Sequence, residues 1–373
     1  MYFNVIIIGG GLAGLTAAMH LRKEGLRVLV VEKNTYPNHK VCGEYVSNEV
    51  KPYLEYLGID LDSVGVVAID TLQISTRSGK AIKTKLPLGG FGISRYALDN
   101  LLYKNALELG VEFTFKTVAD VLFDNDKFEI TLSSNTKLVG NVVIGAFGKR
   151  SNLDKKLNRK FIQQKSPWLG VKCHYNYKDF PENLVALHNF YGGYGGLSKT
   201  EDGSVNFCYL TNFKSFQKHK SIQEFNESVV AKNPFLRDFL KNASPKFKKP
   251  LSIAQISFEK KKAIENHMLM CGDSAGLIHP LCGNGMAMAI HSAKIASDCI
   301  ISYFNERHSR KVLEETYDLL WRKEFNSRLR MGRGIQKVLL SNSISETAIA
   351  TIARSEKILQ SMIKRTHGNP ILV

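Results

Sequence analysis

A glycine-rich turn near the start of the chain is the first group of residues whose spacing could do chemistry. It follows the apolar run at residues 5–8 and opens a helical pattern. In a strand–turn–helix unit, Gly9 permits the turn, Gly11 lets a pyrophosphate approach the backbone and Gly14 lets helix and strand pack closely. The helix start offers unpaired N–H groups to the phosphates. We therefore predict dinucleotide contacts at Gly9, Gly11, Leu12, Ala13 and Gly14.

The second apolar run supports the same site. Residues 27–31 are apolar apart from the first, and the run ends in Glu32, followed by Lys33. An acidic side chain at the tip of the second strand accepts hydrogen bonds from an adenosine ribose and repels a 2′-phosphate. The pattern therefore favours FAD or NAD over NADP, with Glu32 and Lys33 at the nucleotide.

A second glycine-rich segment lies late in the chain. The apolar run at residues 267–271 leads into Gly272 and Asp273, and Gly283 and Gly285 stand at the start of a long helical pattern over residues 285–304. A carboxylate at a strand end and free N–H groups at a helix start are both suited to a polar ligand. The spacing predicts a second contact region for the same cofactor.

Together and in this order, the N-terminal fingerprint, Arg95 ahead of a helix, and the Gly272-Asp273 segment with Pro280 resemble a superfamily of FAD-dependent enzymes. It comprises aromatic hydroxylases, geranylgeranyl reductases and flavin halogenases, and the resemblance covers nearly the whole chain. It implies that Asp273 binds the ribityl chain and that N–H groups near Gly283 and Gly285 face the flavin pyrimidine edge. The further cofactor contacts it implies are Cys42, Gly43, Arg95, Val118, Gly148, Gly272, Asp273, Gly283, Asn284, Gly285 and Met286.

Details within the superfamily point most closely to the geranylgeranyl reductases. Residues 274–276, Ser-Ala-Gly, and residues 42–44, Cys-Gly-Glu, resemble the corresponding reductase segments, the second of which lies beside the isoalloxazine ring. Residues 191–197 occupy the position of the reductases' aromatic substrate strip but lack its Trp and Phe-Pro. Phe147 stands where the family usually has Asp, which leaves the electron donor open between NAD(P)H and another external reductant.

The candidate catalytic residues are Cys42, Glu44, His279 and Pro280. Cys42 could donate a proton or be a small buried hydrophobe, and Glu44 could act as acid or base or orient its loop. His279 could protonate a substrate or be satisfied by loop backbone. The candidate substrate residues are Tyr191, Tyr194 and Gly195, and the alternative for this segment is a glycine-rich strand bulge.

Four activities are compatible with these residues. The favoured one is geranylgeranyl reductase-like reduction of a C=C bond in an isoprenoid, polyene or aromatic small molecule. The main alternative is hydroxylation or epoxidation through a flavin C4a-hydroperoxide. Lesser alternatives are a flavin halogenase and a flavoprotein that only carries electrons. One dinucleotide fingerprint is present, so we expect no separate NAD(P)H domain.

Composition limits the partners. The 373 residues carry a formal net charge of +17, which attracts phosphate-bearing, lipid-like or carrier-bound substrates, although a solvated basic face explains the charge equally simply. No nucleic-acid motif is present, so we expect no nucleic-acid partner. Six cysteines without a CxxC pair argue against a metal site and for a reducing compartment. We expect a cytoplasmic protein without a transmembrane segment, and leave peripheral membrane contact and oligomeric state open.

The predicted fold class is α/β. A Rossmann-like FAD-binding domain of the p-hydroxybenzoate hydroxylase-like (GR2) type is interleaved with a mainly β substrate domain, and helices follow at the C-terminus. We assign residues 1–75, 93–155 and 260–305 to the FAD-binding domain, 76–92 and 156–259 to the substrate domain, and 306–373 to the C-terminal helical extension. Helices are predicted at 49–57, from Arg95, at 222–232, at 285–304 and through 313–363.

Overall fold

A computed structural model describes residues 2–340, 351 and 355–373 of the chain. Its strands are β1 Tyr2–Ile8, β2 Val28–Glu32, β3 Tyr45–Ser47, β4 Val67–Ser75, β5 Ala81–Gly92, β6 Glu112–Phe115, β7 Val118–Asp124, β8 Lys127–Leu132, β9 Lys137–Gly145, β10 Trp168–Asn176, β11 Leu184–Phe190, β12 Gly193–Lys199, β13 Val205–Asn212, β14 Ser244–Pro245, β15 Leu251–Ala254, β16 Ile264–Glu265 and β17 Met268–Met270. Its helices are α1 Leu12–Lys23, α2 Lys51–Tyr56, α3 Arg95–Glu108, α4 Asn152–Lys156, α5 Phe213–Phe216, α6 Ile222–Ser228, α7 Pro234–Asn242, α8 Gly285–Asn305, α9 Arg310–Leu340 and α10 Glu356–Thr366.

The first sheet carries the N-terminal fingerprint. Its order is β16-β17-β9-β1-β2-β6, and the pairings β17–β9, β9–β1, β1–β2 and β2–β6 are parallel. The hairpin β7–β8 joins this sheet through β9. Strands buried on both faces read as continuous apolar runs, which is why residues 5–8 and 28–31 show no alternation. Helices α1, α3 and α8 pack together beside this sheet.

The second sheet has the order β14-β10-β13-β12-β11-β4-β5-β3, with β15 on β10. Only the β11–β4 pairing is parallel. One face packs against α6 and α7 in a core that includes Phe207, Phe225 and Leu236. The opposite face contributes Leu72, Val185 and other residues to a second cluster shared with α10. The sheet is therefore covered on both faces, by different parts of the chain.

Most predicted elements are confirmed, and one helix differs. The predicted helix at 222–232 ends at Ser228, because Val229 leaves helical geometry (φ −121°), and a separate helix α7 follows. Asn233 caps α7 and Pro234 occupies its first turn, a start signal present in the sequence. The predicted C-terminal helical stretch is confirmed in α9 and α10, and its part at 341–350 and 352–354 lies outside the described residues.

Strand pairing bears on the predicted domain limits. Strands β3 and β4 lie within the segment 1–75 that we assigned to the FAD-binding domain, yet both pair with β5 in the second sheet. The hairpin β4–β5 explains this placement, because two strands joined by a tight turn share a sheet. The domain boundaries themselves stay a prediction, since strand pairing assigns strands to sheets and does not divide the chain.

Candidate cofactor and substrate site

A single cavity of about 1270 Å³ runs from the first glycine turn to the second sheet. Most of the residues predicted at the cofactor border it, namely Gly9, Gly11, Leu12, Ala13, Glu32, Lys33, Cys42, Gly43, Arg95, Gly148, Gly272, Asp273, Gly283, Gly285 and Met286. Small-molecule pockets are commonly about 300–1,000 Å³. This cavity is therefore large enough for a cofactor and a second molecule.

The glycines divide into those that the fold requires and those that it does not. A Cβ at Gly9 would lie 2.4 Å from Ala146 O, and one at Gly14 would lie 1.9 Å from Gly9 O, so the protein itself excludes side chains there. A Cβ at Gly11 would meet only the Arg95 Nη2 atom, at 3.7 Å, and one at Gly43 would meet nothing within 4 Å. Neither Gly11 nor Gly43 has a positive φ. The fold leaves open space at both positions, which fits a cradle for FAD.

Two helices begin at this cavity without a side-chain cap. The N-cap of α1 is Gly11, which has no side chain to accept a hydrogen bond. The N-cap of α8 is Asn284, whose side chain accepts none from the helix. Residues at both helix starts line the cavity. Uncapped N–H groups and the positive ends of two helix dipoles therefore face the same space, as the phosphate and flavin ends of FAD require.

Glu32 holds the glycine turn and remains available to a ribose. One carboxylate oxygen accepts a hydrogen bond from Gly10 N (2.7 Å) and the other from Asn34 N (3.0 Å). Each oxygen has a second lone pair, so a ribose hydroxyl can still be accepted. The Tyr36 hydroxyl donates to Gly10 O at 2.6 Å and fixes the same turn from outside. Sequence reasoning did not identify Tyr36.

Arg95 is salt-bridged and also borders the cavity. Its guanidinium makes a bidentate pair with the buried Asp99 (2.7 and 2.8 Å), to which Lys40 also donates at 2.8 Å. Burial raises the pKa of the Asp99 carboxyl, but the two cations outweigh burial and the net pKa is lowered. The same guanidinium borders the cavity beside Gly11. It is thus a salt-bridged residue positioned to contact a cofactor phosphate.

Asp273 borders the cavity. Its backbone takes part in contacts that join the late glycine segment to the loop after β9. Lys261 donates to Asp273 O at 2.7 Å and to Lys149 O at 3.2 Å. Burial lowers the pKa of Lys261 to about 8. Ser274 hydrogen-bonds Gly148 N at 2.8 Å. Lys261, which carried no sequence signal, therefore ties the late glycine segment to the loop after β9.

Glu44 is part of a buried ionic network that sequence reasoning missed. Its carboxylate is fully buried, pairs with the buried Lys172, and accepts from His174 Nε2 at 2.6 Å and from Arg95 N at 2.7 Å. Burial raises the pKa of Glu44, and the His174 hydrogen bond and Lys172 charge overcome this, so the net pKa is lowered. The arrangement fits the alternative in which Glu44 orients its loop. Because the Glu44 carboxylate is bound by all three partners, it is not free to act as an acid or a base.

His39, Glu44 and His174 also bring three ligand-type side chains together, with donor atoms within 4.8 Å of one another. The Lys172 ammonium already neutralises the carboxylate that would attract a cation. Burial lowers the pKa of His39 to about 4, so this imidazole stays neutral near pH 7. The cluster is an ion-pair network supported by hydrogen bonds.

His279 does not line the cavity, so the predicted role in proton transfer has no support from the cavity lining. It is 1% exposed and packs among Trp168, Tyr194 and Phe258. Its Nδ1 accepts a hydrogen bond from Leu281 N at 3.4 Å, and burial lowers its pKa to about 3. Nδ1 is bonded to loop backbone as in the alternative, while the buried Nε2 has no hydrogen-bond partner among the described residues. The neighbouring Pro280 does border the cavity.

Three residues predicted at the substrate or the cofactor do not line the cavity. Tyr191 is 52% exposed in the turn between β11 and β12, over Arg77. Gly195 faces Phe207 on the opposite side of the second sheet, whereas Tyr194 borders the cavity. Val118 is buried at the start of β7 and does not line the cavity. The substrate roles of Tyr191 and Gly195 and the cofactor role of Val118 therefore stay predictions that the cavity lining does not support.

Two further predicted residues serve the surrounding structure. Gly14 packs α1 against the first turn, as its predicted role requires, and does not line the cavity. The Asn284 side chain is buried and donates to Thr366 O at 2.8 Å, so it contacts the C-terminal segment. The loop that carries it still borders the cavity through Gly283 and Gly285.

The part of the cavity over the second sheet is apolar. The inner face of this sheet and helix α10 provide Leu72, Ile74, Leu86, Val185, Leu187, Tyr194, Leu210, Ile253, Leu359, Met362 and Ile363. Two exposed arginines, Arg330 of α9 and Arg365 of α10, also line it. Neither forms an ion pair with any carboxylate of the described residues. This region fits an apolar molecule that carries an anionic group.

Comparison with known proteins agrees with this geometry. The family described as FAD binding domain matches residues 2–319. The chain is 23% identical to conditioned medium factor receptor 1 of Dictyostelium discoideum, over 94% of this chain and 73% of that protein. It is 25% identical to digeranylgeranylglycerophospholipid reductase of Methanocaldococcus jannaschii, over 97% and 94%. The solved structure of the flavin-dependent brominase Bmp2 superposes with a TM-score of 0.79 at 17% identity, over 98% and 93%.

The family match covers most of the chain, so the protein belongs to the FAD-binding domain family. It is an FAD-dependent oxidoreductase, with the fold shared by flavin halogenases and geranylgeranyl reductase-like proteins. None of the helices in the described part of the chain has both the length and the apolar character to cross a membrane.

Proposed function

We propose that the protein is an FAD-dependent reductase of carbon–carbon double bonds in an apolar, isoprenoid-like substrate with an anionic group. The observation that carries this proposal is the apolar region of the cavity, which continues directly from the cofactor cradle. An apolar chain would be stabilised there by about 25 cal/mol for each Å² removed from water. The relative from Methanocaldococcus jannaschii, whose name specifies a geranylgeranylated glycerophospholipid, supports the same substrate class.

The anionic group is assigned to the two arginines of the C-terminal helices. A guanidinium binds phosphate or carboxylate oxygens through paired N–H donors. Arg330 and Arg365 are exposed, border the cavity and lack carboxylate partners among the described residues. They would therefore hold the charged end of the substrate while its apolar chain lies over the second sheet.

The proton is assigned to Cys42. Reduction of a C=C bond adds a hydride to one carbon and a proton to the other. Bound FAD, reduced by NAD(P)H or another external donor, supplies the hydride. Cys42 is half-buried, borders the cavity, and has its carbonyl oxygen fixed by Asn206 Nδ2 at 3.1 Å. The thiol would donate the proton and be reprotonated from solvent.

We expect pre-reduced enzyme to convert a geranylgeranyl-bearing phospholipid in a single turnover without oxygen. Cys42→Ala should retain FAD and slow conversion by about 10²–10⁴-fold, as expected for loss of a general acid. Cys42→Ser, a weaker donor in the same place, should fall between. The matched control is Cys173→Ala. It removes a buried thiol of β10 from the face of the second sheet that packs against α6 and α7.

Each outcome decides between the candidate reactions. Equal rates for wild type and Cys42→Ala would remove the thiol from the mechanism and leave the reductase assignment intact. No anaerobic conversion, together with an oxygenated or halogenated product when oxygen and halide are supplied, would replace the reductase by a monooxygenase or halogenase. Neither product, with electrons passed to an external acceptor, would indicate an electron carrier.

A further inference from the structure

The segment from Lys40 to Glu44 has every carbonyl oxygen held by a donor. The pairs are Lys40 O with Lys172 Nζ (3.2 Å), Val41 O with Lys149 Nζ (3.1 Å), Cys42 O with Asn206 Nδ2 (3.1 Å), Gly43 O with Asn206 Nδ2 (2.8 Å) and Ser198 Oγ (3.2 Å), and Glu44 O with Ile93 N (3.1 Å). A loop with all its acceptors satisfied has one fixed conformation. We call residues 40–44 the cofactor loop.

One cross-strand row of the second sheet provides three of these six contacts. Asn206 of β13 lies opposite His174 of β10 on one side and Ser198 of β12 on the other. Side chains in register on one face of a sheet lie about 5 Å apart. His174 binds the Glu44 carboxylate, while Asn206 and Ser198 bind the two preceding carbonyls. These three neighbouring side chains of the second sheet thus hold the cofactor loop at three adjacent points.

The peptide N–H groups of Gly43 and Glu44 point the other way. In a planar trans peptide the N–H is directed opposite to the carbonyl of the preceding residue. Because the carbonyls of Cys42 and Gly43 both converge on Asn206 Nδ2, the N–H groups of Gly43 and Glu44 point away from the sheet. No described residue accepts a hydrogen bond from either group. The empty space beside Gly43 lies in the cavity that both residues line.

The conformation of Glu44 requires support. Its φ of +56° is the left-handed region that residues other than glycine seldom adopt. Such a conformation persists only where its surroundings determine it. The buried carboxylate contacts Lys172, His174 and Arg95 N, which hold the residue in place. Adjacent N–H groups in a turn that includes a left-handed residue form concave sites for negative charge.

We propose that Lys172, His174 and Asn206 are positioning residues that direct the N–H groups of Gly43 and Glu44 toward the flavin of bound FAD. Two such donors stabilise the negative charge that a flavin gains when it is reduced. The residues act through the cofactor loop and do not themselves touch the reacting atoms. The inference rests on FAD binding and is independent of which substrate is reduced.

Asn206→Asp tests this inference. The substitution keeps the shape of the side chain but turns the donor into a carboxylate oxygen that repels the carbonyls of Cys42 and Gly43. We expect the affinity ratio for reduced over oxidised FAD to fall by about tenfold, which is a midpoint potential lower by about 30 mV for a two-electron couple. Lys172→Met should shift the potential in the same direction. The measurement is spectroelectrochemical titration of the holoprotein.

Asn233→Asp is the matched control. Asn233 is also fully buried: it caps α7, its Nδ2 donates to Thr76 O and Asn189 O at 3.0 Å, and it does not line the cavity. It should lose a similar amount of stability and keep the wild-type potential. If Asn206→Asp fails to fold, Asn206→Ala removes the donor without adding charge. Wild-type potentials in the Asn206 and Lys172 variants, or an equal shift in Asn233→Asp, would overturn the proposal.

Discussion

At the scale of single residues, the site separates glycines that serve the fold from glycines that serve the ligand. Gly9 and Gly14 are excluded from carrying a side chain by backbone atoms of the protein. Gly11 and Gly43 have room for one and ordinary φ values. Substitutions at the two kinds of position should therefore fail in different ways.

We expect Gly11→Val to fold and to lose FAD, because its side chain would enter the pyrophosphate path. Gly14→Ala should instead be destabilised, since its Cβ would lie 1.9 Å from Gly9 O. The measurements are the flavin absorbance of the purified protein and its urea unfolding midpoint. A folded Gly11→Val protein with one FAD per chain would contradict the assignment of this turn.

At the scale of elements, the C-terminal segment is joined to the cofactor-binding core by a buried ion pair. Arg328 of α9 contacts the buried Glu49 at 3.5 Å. The Glu49 carboxylate also accepts from Gly368 N, and its carbonyl from Ile371 N at 2.8 Å. These bonds hold the end of α10 against the body of the protein. Because α10 covers the apolar part of the cavity, this ion pair helps to close the substrate region.

Arg328→Met should destabilise the protein by about 3–5 kcal/mol, because it leaves the Glu49 carboxylate buried without its cation. The double variant Arg328→Met, Glu49→Gln should recover much of that loss, since no charge is then buried. Urea unfolding measures both, and trypsin cleavage after the exposed Lys364 and Arg365 reports release of α10. A double variant no more stable than the single one would show that the pair is not the source of the effect.

At the scale of the whole molecule, several histidines are buried as neutral groups. Burial lowers the pKa of His188 and His279 to about 3 and that of His291 to about 4. An unfolded histidine titrates near 6.5, so between about pH 6.5 and 4 the unfolded chain binds protons that the folded protein does not. These histidines therefore lower the free energy of unfolding as the pH falls through this window, while the raised pKa of the buried Glu49 acts in the opposite direction.

We expect each such histidine to lower the free energy of unfolding by about 1.4 kcal/mol per pH unit below 6.5, until its own folded pKa is reached. Urea unfolding at pH 7.5, 6.5, 5.5 and 4.5 measures the slope. His279→Asn, which keeps an acceptor for Leu281 N but does not titrate, should give a shallower one. The lowered pKa of Glu44 changes the free energy of unfolding only below about pH 4.5, which is outside this range. Stability independent of pH from 7.5 to 4.5 would contradict the buried neutral state.

Local patterns in the sequence predict the cofactor end of the protein. The strand–glycine–helix unit, the acidic tip of β2 and the late glycine segment are each short, and their chemistry depends on backbone geometry that neighbouring residues set. Gly11, Glu32 and Asp273 follow from these patterns and Arg95 follows from the family resemblance, and all four border the cavity.

Contacts between distant segments decided the rest. Glu44 and Lys172 are 128 residues apart, and nothing local shows that a lysine in β10 neutralises a carboxylate in the cofactor loop. The contacts of Asn206 with Cys42 and Gly43 likewise join distant segments and have no local signal in the sequence. The ion pair of Arg328 with Glu49 is of the same kind. Alternation within β10 does place Lys172 and His174 on one face, but only the pairing of β10 with β13 turns that face toward residues 40–44. From the sequence alone, the glycine turn and Glu32 predict FAD or NAD because both signals are local, and the family resemblance selects FAD. The network around the cofactor loop depends instead on tertiary contacts that bring distant charges together.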